Sequence, residues 1–424
     1  MLPIIMLLFW LSITIILFAF GPYNYSVDNK AVLYLYLFAV HLALFIGYIR
    51  GLNSHSRTYK GKLSGVKLTK ILIAANFLIF LFLLTYSGGG DVANIRLALV
   101  NPEEAYISGS TKEGISALNY IGIFTAPIAV LAVTLGIYYW KEVAFLYRIA
   151  LISYIISTVM GGIGSSVRSS IVSILMMVST SIAAAHFSGK YRLSRRSKMI
   201  MFFSILIVTV CFIYYFDFLA QNRSVGRDMM LNPLTLELPK EDHVMYKIIP
   251  ENSHITYTVI AFYLSHSYSR LATALKMPFI GIGFGAGNSV FLIRNIIRIT
   301  GWEWFEKLSY GMRLDRESGH GIFGVFWSTI YPWIASDVTF PGSIIVVSFI
   351  GYILAVTWCD ILNCCNPIAV SAFSCIFFII YSFPMNNPMQ DGAGLLVFIG
   401  IPLMWIITRK YYIRCSTAVP LLFE

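Results

Sequence analysis

Apolar runs separated by short polar connections fill most of this chain. Seven occur in the first half, at residues 2–20, 31–49, 71–86, 120–140, 143–160, 170–186 and 199–219, each with few or no charges. A helix rises about 1.5 Å per residue, so runs near 20 residues match the hydrocarbon thickness of a bilayer. Without water to satisfy the backbone, such runs must close their own hydrogen bonds as helices. The pattern predicts an all-α, polytopic transmembrane helical bundle. It divides the chain into a seven-span region (1–219), a long external segment (220–319) and a C-terminal membrane region (320–424).

Four more apolar runs follow, at 321–336, 340–362, 368–383 and 393–407. The first is interrupted by Gly324 and Pro332 and reads as a re-entrant or half-buried helix, tolerated at membrane depth only against protein or a cavity. That leaves about ten full spans. Within the external segment, 255–275 and 279–299 mix aromatics and aliphatics with Arg270, Arg294 and Arg298, the composition of interface-lying helices. A connection of this length is usually functional.

Charge orients the bundle. Residues 50–70 carry Arg50, Arg57, Lys60, Lys62, Lys67 and Lys70 with no acid, and 189–198 carry Lys190, Arg192, Arg195, Arg196 and Lys198 with no acid. Cations concentrate on the cytoplasmic side, so both termini are expected there and the 220–319 segment outside. The first run lacks a charged leader and a small-residue cleavage site, and reads as a span.

Composition agrees. The 424 residues are 58% hydrophobic and only 12% charged, with a mean hydropathy of +0.74. A soluble domain carries roughly 25% charged residues, so a large water-soluble enzyme is excluded. The net charge of +11 is accounted for by the positive-inside pattern, and no nucleic-acid partner is expected. The six cysteines lie in or beside apolar runs without metal-ligand spacing and read as small core residues. No metal or other cofactor is expected.

The informative departure is arginine on the side where cations are not favoured. Nine are expected outside: Arg96, Arg168, Arg223, Arg227, Arg270, Arg294, Arg298, Arg313 and Arg316, with six lysines beside them. The planar guanidinium suits bidentate phosphate recognition and stays charged near lipid. The bland alternative is pairing with the nine acids of the long segment or contact with lipid headgroups. Arg168 follows Gly161, Gly162 and Gly164 and opens the outer end of the sixth span, where a helix N-terminus favours an anion. Arg96 follows Ser-Gly-Gly-Gly-Asp at the outer end of the third span. Boundary charges of this kind are functional candidates.

His320 stands at the start of the re-entrant run. Imidazole titrates near neutral pH and can take a proton from a sugar hydroxyl. Glu317 and Asp315 are close enough in sequence to orient it or to replace it as base. A helix-capping histidine at the interface is the bland alternative. His41 faces a span interior and reads as structural. The run Gly281-Ile-Gly-Phe-Gly-Ala-Gly287 is similar to a nucleotide loop, but no βαβ unit surrounds it, and a turn between interfacial helices is expected.

Ten or so spans, one long external segment late in the chain, Gly161-Gly162 separated by five residues from Arg168, Ser318-Gly319-His320-Gly321 and Arg96 outside span three together resemble the Wzy-type O-antigen polymerases. The resemblance is mainly architectural and its motifs are short. It implies a metal-independent, inverting glycosyltransferase at the periplasmic face of a bacterial inner membrane. The growing chain would pass from one undecaprenyl pyrophosphate to the terminal sugar of another lipid-linked repeat, with a chain-length regulator as possible protein partner. It implies pyrophosphate binding by Arg96 and Arg168, assisted by Arg223, Arg227 or Arg294, and His320, with Glu317, at the catalytic centre. The related ligases carry His-Asn where glycine follows His320 here. An O-antigen ligase, or a transporter or flippase of lipid-linked oligosaccharide, is the competing expectation. No internal repeat of the transporter kind is visible.

Overall fold

The computed structural model describes residues 1–53, 57–59, 64–86, 90–105, 117–165, 168–191, 194–222, 239–240, 242–317, 328–363, 366–409 and 412–414. Among them the regular structure is helical except for one three-residue antiparallel pair and one isolated bridge. In order, the first-half helices are α1 (Leu2–Phe20), α2 (Lys30–Leu52), α3 (Gly65–Tyr86), α4 (Gly90–Val100), α5 (Ala117–Tyr138), α6 (Phe145–Gly164), α7 (Arg168–Phe187) and α8 (Arg195–Asn222). Then come α9 (His254–Ser265), α10 (Ser267–Ala274), α11 (Val290–Thr300), α12 (Tyr310–Glu317), α13 (Ile330–Leu362), α14 (Ile368–Ser382) and α15 (Gly392–Arg409). Eight of the described helices are long and apolar enough to cross a membrane: α1, α2, α3, α5, α6, α7, α13 and α15. Leu206–Leu219 within α8, and α14, are shorter apolar helices.

The bundle is built around α2 and α13. A Cβ on Gly47 would collide with the Ser348 backbone, one on Gly51 with Tyr352 and Ala355, and one on Gly351 with Leu44. Small residues four apart let two membrane helices approach backbone to backbone, where close packing replaces the absent hydrophobic drive. The Tyr36 and Ser343 hydroxyls hydrogen-bond at 2.5 Å near one end of this seam, and Gly51 meets Ala355 near the other. The two helices therefore run parallel.

The basic connections lie at one end of the bundle. There β1 (Arg57–Tyr59) pairs antiparallel with β2 (Tyr412–Arg414), joining the linker after α2 to the segment after α15. Asp360, 1% exposed, accepts from Arg409 Nε at 3.0 Å, from Arg409 Nη2 at 3.3 Å and from Trp405 Nε1 at 3.0 Å. Lys190 bridges to Glu142 at 2.6 Å. This basic end thus holds the linker and the C-terminal segment together.

At the opposite end, the described part of the long segment folds onto the bundle. Over 255–275 and 279–299, where interface-lying helices are expected, the structure has helices packed on the bundle and an irregular stretch before the last of them. Helices α9 and α10 bury Val259, Phe262, Leu271 and Ala272. Tyr25 bonds Ser265 at 3.0 Å, and Tyr268 bonds Thr14 at 2.8 Å, so both helices are docked against the start of the chain. Residues 278–289 are irregular apart from a turn at 284–285 and a 3-10 turn at Ala286–Asn288, and α11 has the two-faced pattern of a surface helix, with Ile293 buried and Arg294, Arg298 and Ile299 exposed.

The re-entrant reading of 321–336 is covered only from residue 328, since 321–327 lie outside the described residues. Residues 328–336 are buried. Helix α13 breaks at Thr339 (φ 67°, ψ 167°), just before Pro341, so a short buried helix feeds a long span. A non-glycine residue in that backbone region persists only where its surroundings hold it.

Candidate functional site

At the end away from the basic connections, the described residues include Arg96, Arg294, Arg298, Arg313 and Arg316. Helix α4 packs against the end of α6, where Gly164 meets Ile95, the residue before Arg96. Four residues after Gly164 the chain reaches Arg168, which opens α7. The two candidate segments are therefore neighbours, with Arg96 exposed. The side-chain placements of Arg168 and Glu317 are outside what the structure describes, as are residues Arg223, Arg227, Ser318, Gly319, His320 and Gly321.

Helix α11 brings Arg294 over the ends of α5 and α15. Phe291 donates its N–H to the Gln390 carbonyl at 2.9 Å, and the Ser289 hydroxyl donates to the same oxygen at 3.1 Å. Tyr120 donates to Asn295 Oδ1 at 3.2 Å, while Arg298 Nη2 reaches the Tyr120 hydroxyl at 2.8 Å and Asn295 at 2.9 Å. Arg298 is thus engaged in fastening α11 through neutral partners, and Arg316 is paired with Glu306, an acid of the long segment, as the bland alternative has it. Arg294 is solvent-exposed on the same helix.

Arg313 is the exception that the sequence reading counted but did not choose. It is 8% exposed. Its guanidinium lies over the Tyr310 ring, 4.5 Å from the centroid, and Nη1 donates to the Pro278 carbonyl at 2.9 Å. Nε and Nη2 are buried and meet no acceptor among the described residues. A buried guanidinium with idle donors is energetically unfavourable, and an anionic group placed there would satisfy it. The sequence signal was available: Tyr310, Arg313 and Leu314 share one helical face, so the charge falls on the apolar stripe of α12. Burial raises the Tyr310 phenol above its ordinary range, with the adjacent Arg313 opposing the shift.

Pro278 also lines a polar cavity of about 350 Å³ between the α1–α2 turn and α10, with Asp28, Asn29, Ser269, Thr273 and Lys276. Lys276 donates to Asp28 at 2.7 Å, and this hydrogen bond holds the exposed Asp28 carboxyl below the usual carboxylate range. Arg313 stands behind the cavity wall.

The glycine-rich run is a turn, as expected, and its glycines have a specific task. Asp337 accepts the Gly285 N–H at 3.0 Å, and its carboxylate is also bonded by the backbone of Gly283, Gly287 and Asn288. A Cβ at Gly283 would come within 2.8 Å of Asp337 Oδ1, and one at Gly287 within 2.7 Å of Ser336 Cβ. Gly285 sits at φ 87°. Successive amides of this kind form a nest for a negative group, and here the chain supplies its own.

His41 is part-buried in α2, with Nδ1 at 2.5 Å from the Leu37 carbonyl, as a structural histidine would be. Among the described residues, no group of three His, Cys, Asp or Glu side chains is placed to hold a metal ion. Comparison with protein-family models, with curated proteins and with solved structures finds no match for this chain.

Proposed function

We propose that this chain is a Wzy-type polymerase, an inverting glycosyltransferase that lengthens a lipid-diphosphate-linked oligosaccharide on the outer face of a bacterial plasma membrane. On this reading the shorter apolar helices join the eight long ones as ten spans, the basic end is cytoplasmic, and residues 220–319 are periplasmic. The observation that carries it is the buried Arg313, with two idle guanidinium donors, on the folded external segment. It belongs to the same end of the bundle as α4, α7 and α11, which carry Arg96, Arg168 and Arg294.

The chemistry asks for that set. An acceptor sugar hydroxyl attacks the anomeric carbon of the donor chain, the bond to the lipid diphosphate breaks, and the hydroxyl proton passes to a base. Negative charge grows on the departing diphosphate, and fixed guanidinium groups in a water-poor site stabilise it. Arg96 and Arg168 hold the donor diphosphate, with Arg223, Arg227 or Arg294 assisting. His320 takes the proton, with Glu317 orienting it or acting in its place.

Purified protein in lipid nanodiscs, given undecaprenyl-diphosphate-linked repeats, should yield a ladder of longer products, and Arg168→Ala should insert normally yet give single repeats. Wild-type ladders from that variant would remove the diphosphate role. Absence of any longer product from the wild-type protein favours a ligase or flippase. A gene deletion separates these in cells: a polymerase leaves one repeat on the lipopolysaccharide, whereas the other two leave none.

A further inference from the structure

An apolar crevice of about 290 Å³ lies among α1, α7, α13 and α14. Six of its fourteen lining side chains are aromatic, among them Trp10, Phe187, Trp358 and Phe377. Its rim is open: Met6 is 54% exposed and Phe187 48%. Four helices that run through the apolar zone bound it, so only a lipid-soluble chain reaches it.

Helix α7 connects this crevice to the other end of the molecule. The helix opens at Arg168, and its residues from Met176 to Phe187 contribute to the crevice wall. Ser179, which lines the crevice, follows Arg168 by three full turns, on the same helical face and about 16 Å deeper. Phe187 lies about 28 Å below Arg168, close to the depth of a bilayer core. A lipid with its diphosphate at the head of α7 would therefore lay its tail down this helix and into the crevice.

We propose that the crevice holds the polyisoprenoid tail of the lipid-linked substrate; this rests on the transferase reading for the identity of the headgroup. Flat aromatic faces suit a chain of planar, methyl-branched isoprene units, with which they make extensive dispersion contact. Tail binding at a fixed groove would keep the diphosphate at the outer end of α7 while the sugar chain changes.

The test is photolabelling of the full-length protein in phosphatidylglycerol nanodiscs with an undecaprenyl diphosphate that bears a diazirine near the tail terminus. Label should fall on peptides from α1 and α7 and be displaced by unlabelled undecaprenyl diphosphate. Filling the crevice with Ala183→Trp should cut it about tenfold, the effect of losing one or two buried methylenes' worth of contact. Ser179→Trp at the exposed rim is the second variant, should the first fail to fold. Labelling spread evenly over α3 and α8, or equal labelling by a diazirine phosphatidylglycerol, would overturn the tail site. In the polymerisation assay, the wild-type preference for undecaprenyl over farnesyl substrates should disappear in the filled variants. Polymer formation without crevice labelling rejects the tail site alone. Crevice labelling without polymer formation rejects the transferase reading alone.

Discussion

The Asp337 carboxylate is clasped by the turn that contains Gly285, whose backbone N–H it accepts at 3.0 Å. One side chain at the break of α13 thereby fixes the path of residues 283–288, and through Ser289 the position of α11 and its Arg294. Asp337→Ala should strand several amides and lower stability by about 2 kcal/mol. Asp337→Asn, which keeps an acceptor, should lose less. Hydrogen exchange of the 283–288 amides checks this: protection should fall sharply in the alanine variant and only partly in the asparagine one.

Gly47 has no room for a side chain against Ser348. Gly47→Ala and Gly351→Ala should each destabilise the bundle by roughly 1–3 kcal/mol, the usual penalty of overpacking. Because both act by separating the same pair of helices, the double variant should lose less than the sum. Thermal unfolding in detergent gives the three values, and strict additivity would show that the seam is not shared.

Arg313 is buried with two donors idle. Replacing a buried, incompletely paired charge by an apolar group of similar volume is often neutral or stabilising. Arg313→Met should therefore leave the melting temperature unchanged or higher while polymerisation falls by roughly a hundredfold, the scale of one lost charge-stabilising contact. A variant that melts early and keeps its activity would identify Arg313 as structural.

Asp360 tells the opposite story. Its carboxylate is fully engaged by Arg409 and Trp405. Asp360→Ala should strand the guanidinium and cost about 3–5 kcal/mol. Proteolysis after Arg409 should become faster, because the same end carries the β1–β2 pairing.

The spans were legible in the sequence because lipid demands long apolar runs, and composition alone reports those. Partners were not legible. Gly47 and Gly51 acquire meaning only when Gly351 is known to face them, and no local pattern couples positions three hundred residues apart. The glycine run was read as a turn, but the acid it wraps lies in a different apolar stretch. The mixture of aromatics, aliphatics and arginine suggested interfacial helices over 255–275, but the faces they pack against α1 and α8 were not legible, since two-faced helices suit a protein surface and a lipid one equally. For the site, the excess of arginine at one end was visible. The apolar stripe of α12 hinted at Arg313, but its burial with two donors idle exists only after folding. His320, Arg223 and Arg227 fall outside the described residues, so their roles rest on the sequence reading.

The seam between α2 and α13 also bears on how the protein is made. Tyr36 and its partner Ser343 are 307 residues apart. At roughly 5–20 residues per second, the ribosome needs about 15–60 s to deliver the second helix after the first. During that interval the glycine face of α2 lies in the bilayer without its mate. Insertion must proceed with the central pair unassembled, and an insertase or quality-control protease that recognises exposed small-residue grooves would meet this chain before its own C-terminal third does.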